Sequence, residues 1–302
     1  MRKMRQVKGI IPVLSTPLTR EGDIDTEGLK RLVEFLVNQN IGGLWVLGTG
    51  SEDMNLSFEK RIRVAQVVTE TNRGRVPLIV GAGFFAMEYI LSFIGETSEL
   101  EFEAYHVMPY HPLLSLDRIE WFYQHIADQC PKPLWVYTSA NWSRPITPGF
   151  VAKIKDHPNI AGVKFSTRNA VDILKVAEMA EEGFQVITAV VAQLYACLCM
   201  GSQAHTSSLG SCLPEALITI YELFMEGRHW EALRAQHRLN HFLEEMPKGA
   251  KKDNFLQAAE EKFILSLRGI CDGHTTSYYR EVNKEEKVSI TDLLKKYEMF
   301  RF

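Results

Sequence analysis

Short unbroken apolar runs, rich in Val, Ile, Leu and Trp, alternate with longer stretches in which apolar residues recur every three or four positions, and this alternation persists from residue 9 to residue 226. Runs of the first kind read as strands buried on both faces of a parallel sheet, and stretches of the second kind as amphipathic helices that cover it. The predicted strands are 9–14, 41–47, 76–80, 104–108, 134–137, 160–164, 185–189 and 204–207. The predicted helices between and after them are 25–40, 57–71, 87–100, 116–128, one beginning at 147, 171–181, 191–200 and 214–226. Asp25 or Thr26, Ser57 and Thr147 stand where N-caps belong, and Pro148 occupies a first helical position. Eight such pairs can close into an α/β fold of the (β/α)8 TIM barrel type. Beyond Gly227 the pattern is helical only, at 230–245, 254–267 and 289–297. The predicted division is therefore a barrel over residues 1–227, carrying the active site, and a C-terminal helical appendage over 228–302.

Composition narrows the possible functions. With 302 residues, 46% of them hydrophobic and 24% charged, the chain has the make-up of a globular protein with a large core. A net charge of -3, with Lys and Arg scattered, argues against a nucleic-acid partner. The longest apolar tract, 186–200, contains Thr188 and Gln193 and falls short of a membrane span. The basic N-terminus precedes an apolar run that Pro12, Ser15, Thr16 and Pro17 interrupt too early for a signal-peptide core. Five cysteines, an odd number in a chain of this size, suggest a reducing cytoplasm.

The sixth predicted strand places Lys164 where apolar Ile160-Ala161-Gly162-Val163 gives way to polar Ser166 and Thr167. C-terminal strand ends form the catalytic face of such barrels, and apolar surroundings there disfavour an ammonium ion. A neutral amine can attack a carbonyl. The resulting imine draws electrons from the adjacent carbon, so that bonds next to a 2-oxo acid can be broken and remade without a metal or a bound cofactor. The same lysine also reads as one that snorkels to water.

Other positions carry similar pairs of readings. Gly48-Thr49-Gly50-Ser51-Glu52 could cradle a carboxylate with its N–H groups and hydroxyls, or could be a tight turn; no Gly-Lys-Ser/Thr follows to make a phosphate loop. Gly81-Ala82-Gly83 lacks the third glycine of a dinucleotide fingerprint and reads as a turn. Tyr137 ends the fifth strand, where its hydroxyl could move protons to and from an imine or its ring could simply pack in the core. Arg144, in the next loop, could pair with a substrate carboxylate or stay solvated. His237 and His241 stand four apart on a predicted helix, but the Glu of HExxH is absent and no metal site is assigned.

Together these stretches resemble the dihydrodipicolinate synthase and N-acetylneuraminate lyase family of Schiff-base aldolases over nearly the whole chain. GIIPVLSTPLTREGDID resembles the family's opening, GTGSEDMNLSFEKR its G-T-T-G-E…L-S-x-E-E-R, LWVYTS the strand with the catalytic tyrosine, and AGVKFST the strand with the imine-forming lysine. The resemblance implies Lys164 as Schiff base, Tyr137 as general acid/base and Thr49 as relay and carboxylate contact. Ser166 and Thr206 fall at substrate-facing positions, and Gly50, Ser51, Arg144, Tyr110 and His111 are further substrate-binding candidates.

The departures bear on substrate. Gly50 replaces a hydroxyl residue, with Ser51 one place on, so carboxylate binding leans more on backbone N–H groups. Pro109-Tyr110-His111 stands where the synthases carry a second Tyr that crosses a subunit interface, so that relay is altered or absent. Thr138-Ser139-Ala140 replaces Asn-Val-Pro, Arg144 aligns only with about two extra residues allowed, and Thr188-Ala189-Val190 replaces a Gly-x-Asp-like turn. The expected function is a cofactor-free, Schiff-base-forming lyase of pyruvate or a related 2-oxo acid, distinct from the authentic lysine-pathway synthase. A 2-keto-3-deoxy sugar acid dehydratase or an N-acetylneuraminate lyase-like aldolase is the alternative, and a non-catalytic scaffold or sensor is the alternative of another class. The resemblance also implies a homo-oligomer, a tetramer or dimer, with residues 110–114 near an interface.

Overall fold

The computed structural model describes residues 4–139, 142–254 and 256–300. Its eight strands are β1 (Gly9–Pro12), β2 (Leu44–Val46), β3 (Leu78–Gly81), β4 (Ala104–Val107), β5 (Leu134–Thr138), β6 (Ile160–Phe165), β7 (Gln185–Thr188) and β8 (Ala204–Ser207). All pair in parallel, in the order β1-β8-β7-β6-β5-β4-β3-β2. Leu14 N donates to Trp45 O at 2.9 Å and Gly42 N to Ile10 O at 2.8 Å, which brings β1 against β2 and rounds the sheet into a barrel.

Alternation along each strand divides the core in two. Ile11, Trp45, Ile79, Ala104, Trp135, Ile187 and Ala204 fill the barrel interior. Ile10, Val46, Val80, Val107, Val136 and Val163 pack outward against the helices. Both faces are apolar, which is why the strands read as unbroken runs. Gly162 makes room for one of the interior rings: a Cβ there would lie 2.7 Å from Trp135 Cζ3 and 2.4 Å from Gln185 O.

The helices begin where the sequence signals them. Asp25, Ser57, Ser115, Thr147 and Asn169 each accept a hydrogen bond from a backbone N–H of the following turn. Several ends differ from expectation. The helix behind β6 stops at Ala177, and a short helix, Leu209–Cys212, intervenes before Pro214–Met225. The single helix expected over 254–267 is two, Gly249–Asn254 and Ala258–Leu267. The last helix starts earlier than expected, spanning Lys284–Lys296, because Asn283 and Glu286 form a reciprocal capping box. Ala140, part of the altered segment after the tyrosine, lies outside the described residues. Among the described residues no helix is long and apolar enough to cross a membrane.

The C-terminal helices reach the barrel mouth. Every residue from Ala258 to Leu265 is buried, Glu260, Glu261 and Lys262 included. Lys262 Nζ meets Glu52 Oε1 at 2.5 Å, with both side chains almost fully enclosed, and Glu52 Oε2 accepts from Thr276 N at 2.8 Å and Thr276 Oγ1 at 2.7 Å. Removing one partner of such a pair leaves a buried charge uncompensated. Lys262→Met should therefore cost about 3–5 kcal/mol in urea unfolding, and the double variant Glu52→Gln/Lys262→Met should recover part of that loss.

Candidate active site

β6 carries Lys164 into the barrel mouth, in register with Tyr137 of β5 on one side and Ile187 of β7 on the other. Lys164 is 5% exposed. Its Nζ stands 4.1 Å from the Tyr137 ring centre and 4.8 Å from that of Trp45. His106 stacks on Trp45 at 4.2 Å, so the amine faces an aromatic wall. Burial lowers the Lys164 ammonium pKa to about 7, with the Asp53 carboxylate pulling the other way. At neutral pH a large fraction of the side chain is thus an uncharged nucleophile.

The Tyr137 hydroxyl lies 3.0 Å from Thr49 Oγ1. Burial pushes the phenol up to about 12, opposed by the Thr49 hydrogen bond, so it keeps its proton throughout the neutral range. Tyr123 fixes the strand beneath it, donating to Tyr137 O at 2.7 Å and accepting from Tyr137 N at 3.1 Å. His106 is held as a neutral imidazole by its burial, with Nε2 2.9 Å from Val46 O.

The turn after β2 is a short 3-10 segment, Thr49–Ser51, in which Ser51 N donates to Gly48 O at 2.8 Å. Gly50 is the only residue type that fits there without displacing a neighbour, since its Cβ would lie 2.7 Å from Ser208 Cβ. Ser51 is buried and its hydroxyl donates to Leu14 O at 2.5 Å. That proton ties the turn to the segment just beyond β1.

The structure places the remaining candidates as follows. Thr206 is buried in β8, paired with Ile11, and its Oγ1 has no hydrogen-bond partner among the described residues. Ser166 follows β6 and is half-buried. Tyr110 is buried and donates to Asp53 Oδ2 at 2.7 Å, so its hydroxyl serves an internal network. His111 is exposed, with Nε2 3.1 Å from Phe85 O. Arg144 is exposed and donates to Leu114 O at 3.2 Å, which ties its loop to the one after β4.

A buried ion pair, Asp53 with Arg61 at 2.8 Å, stands behind this mouth. Arg61 Nε also donates to Asp53 O at 2.9 Å, and the guanidinium lies 4.0 Å over the Phe84 ring. Burial raises the Asp53 carboxyl pKa against the opposing pull of Arg61. Asp53 is the charged group that acts on Lys164 and Tyr137 from within the protein. The sequence held one hint of it, the arginine four residues after Ser57 in LSFEKR. Trp45 and His106 gave none, since aromatic residues in strands are ordinary core. No group of three or more His, Cys, Asp or Glu among the described residues is placed to hold a metal ion.

Comparison with known proteins agrees with this fold. Residues 6–296 match the model of the dihydrodipicolinate synthetase family. The chain is 23% identical over 300 residues to a 4-hydroxy-tetrahydrodipicolinate synthase of Methanosphaerula palustris, covering 96% of this chain and 99% of that one. Among solved structures, a prophage protein of the same family from Escherichia coli K12, determined with pyruvate, superposes with a TM-score of 0.88 at 21% identity, covering 97% and 99% of the two chains. An N-acetylneuraminate lyase from Mycoplasma synoviae superposes with a TM-score of 0.84 at 22% identity, covering 97% and 98%. The chain belongs to the dihydrodipicolinate synthetase family and is an enzyme of its class I aldolase type, a carbon–carbon or carbon–oxygen lyase.

Proposed function

We propose that the chain acts on pyruvate or a related 2-oxo acid through an imine on Lys164. The observation that carries this reading is a buried amine, with its pKa lowered to about 7, beside a tyrosine–threonine hydroxyl pair. The free amine adds to the 2-oxo carbonyl, and the carbinolamine expels its hydroxyl as water once protonated. The iminium left behind acidifies the adjacent carbon, so that a proton or a carbon electrophile can be exchanged there. Tyr137 supplies and recovers the protons, and Thr49 relays them. N–H groups of the turn around Gly50 and the free hydroxyl of Thr206 receive the carboxylate. The pyruvate bound by the prophage protein supports the same substrate class.

Within this reading the physiological reaction is other than lysine-pathway synthesis. His111 carries an imidazole where the synthases have a second tyrosine, and the Tyr110 hydroxyl donates to Asp53, so neither residue supplies the hydroxyl that the synthases carry across the subunit interface. That favours cleavage or dehydration of a deoxy sugar acid, or an N-acetylneuraminate lyase-like cleavage, through the same imine. The enzyme works as a cytoplasmic homo-oligomer, a tetramer or dimer, with the 110–114 loop at an interface. Reductive trapping with borohydride, pyruvate and a panel of sugar acids, read by intact mass, tests the proposal. A mass increase in the wild type supports the lyase, and its absence with every 2-oxo acid favours a scaffold or sensor.

A further inference from the structure

Glu261 has a place in the fold that the imine chemistry does not explain. It stands on the C-terminal helix Ala258–Leu267, is 2% exposed, and shares a hydrogen bond of 2.7 Å between its Oε1 and Ser208 Oγ. Ser208 follows β8, and its Cβ occupies the space that a side chain at position 50 would need, 2.7 Å from a Cβ built on Gly50. A single hydrogen bond thus links Glu261 to the residue packed on the turn where the carboxylate would bind. Its other oxygen, Oε2, is buried without a hydrogen-bond partner among the described residues. Among the described residues no cation is bonded to Glu261, and the neighbouring Lys262 is engaged by Glu52.

We propose that Glu261 is a positioning residue of the carboxylate-binding turn that acts through its charge. In the neutral form it supports Ser208 against Gly50 and leaves the turn open to an anionic 2-oxo acid; in the ionised form it repels that anion. This inference rests on the reading of the chain as a 2-oxo acid lyase. Burial pushes the Glu261 carboxyl up to about 8; the Ser208 hydrogen bond and Lys251 oppose the rise, and Glu260 and Glu52 add to it. The other charged or titratable groups around it are Lys262 on its own helix and Cys212 on the helix after β8, with Glu215 and Arg268 in turn acting on Cys212. Below about pH 8 the carboxyl is neutral and the mouth keeps its affinity for an anion; above it a new negative charge appears behind the turn. A like charge within about 10 Å, at an effective dielectric near 20, weakens anion binding by on the order of tenfold.

The test measures the half-saturating pyruvate concentration for reductive trapping from about pH 7 to about pH 9.5. It compares the wild type with Glu261→Gln, which keeps the shape and stays neutral, and with Ser208→Ala, which keeps the Cβ against Gly50. The wild type should lose roughly tenfold in affinity across this range, and Glu261→Gln should lose much less. In Ser208→Ala the fall should move to higher pH, because the lost hydrogen bond had favoured the ionised carboxylate. A wild-type fall that persists unchanged in Glu261→Gln overturns the inference, as does a fall that stays put or moves to lower pH in Ser208→Ala. The Ser208→Ala result decides alone if Glu261→Gln does not fold. A trapped adduct at pH 7 with either of those outcomes leaves the lyase reading standing, whereas no adduct in the wild type at any pH removes both.

Discussion

Lys164→Ala is expected to abolish the borohydride-trapped adduct with pyruvate, and with it all turnover. The variant removes the buried amine at the mouth, and no second amine among the described residues faces the Trp45 and Tyr137 rings there. Lys262 is also a buried amine, but it is ion-paired with Glu52 at 2.5 Å and donates to His274 O at 2.9 Å. A lysine so committed has no lone pair to give a carbonyl. The buried amine also sets a pH dependence. Because burial lowers the Lys164 pKa to about 7, the reactive neutral form is lost as pH falls through that value. Log kcat/KM should therefore drop toward one unit per pH unit on the acid side, with a midpoint near 7. An adduct that survives in Lys164→Ala, or an acid limb centred near the ordinary lysine value, would place the chemistry elsewhere.

The barrel was legible because parallel strands covered on both faces leave unbroken apolar runs, and because Ser57, Thr147 and Pro148 announce helix starts in the residues themselves. Lys164 was legible as a strand-end lysine, though only burial separates a nucleophile from a snorkelling side chain. Burial is a property of the assembled barrel. It arises here from Trp45, Tyr137 and His106, three residues brought from different strands. The start of the last helix was available in the sequence as Asn283 with Glu286 three places on, and it was missed because apolar periodicity begins only later.

The charged residues behind the site were hidden for a different reason. Asp53, Arg61, Glu261 and Lys262 belong to types that are usually exposed, so in a one-dimensional reading they mark surface. Their burial depends on partners far away in sequence. Glu52 reaches across to Lys262 and Thr276, and Ser208 to Glu261. The C-terminal helices follow the barrel as the sequence indicates, but their apolar pattern says nothing about what they pack on. Lys262 meets Glu52 in the loop that follows β2, and Glu261 meets Ser208 just after β8.

The second large effect is expected at Tyr137. Tyr137→Phe keeps the ring that faces Lys164 at 4.1 Å and removes only the hydroxyl that meets Thr49 at 3.0 Å. Imine formation with pyruvate should persist, since the amine still attacks, while turnover should fall by roughly 10²- to 10⁴-fold, the range for a lost acid/base group. No limb of the pH profile between pH 6 and 9 should disappear with it, because a phenol held at about 12 does not titrate there. Thr49→Val supplies the control. If Thr49 acts by relaying protons to Tyr137, its loss should cost rate in the wild type but little more in Tyr137→Phe, so the two changes should be strongly non-additive. Full additivity in kcat would show two hydroxyls working separately. A Tyr137→Phe enzyme that turns over at wild-type rate would remove the tyrosine from the mechanism.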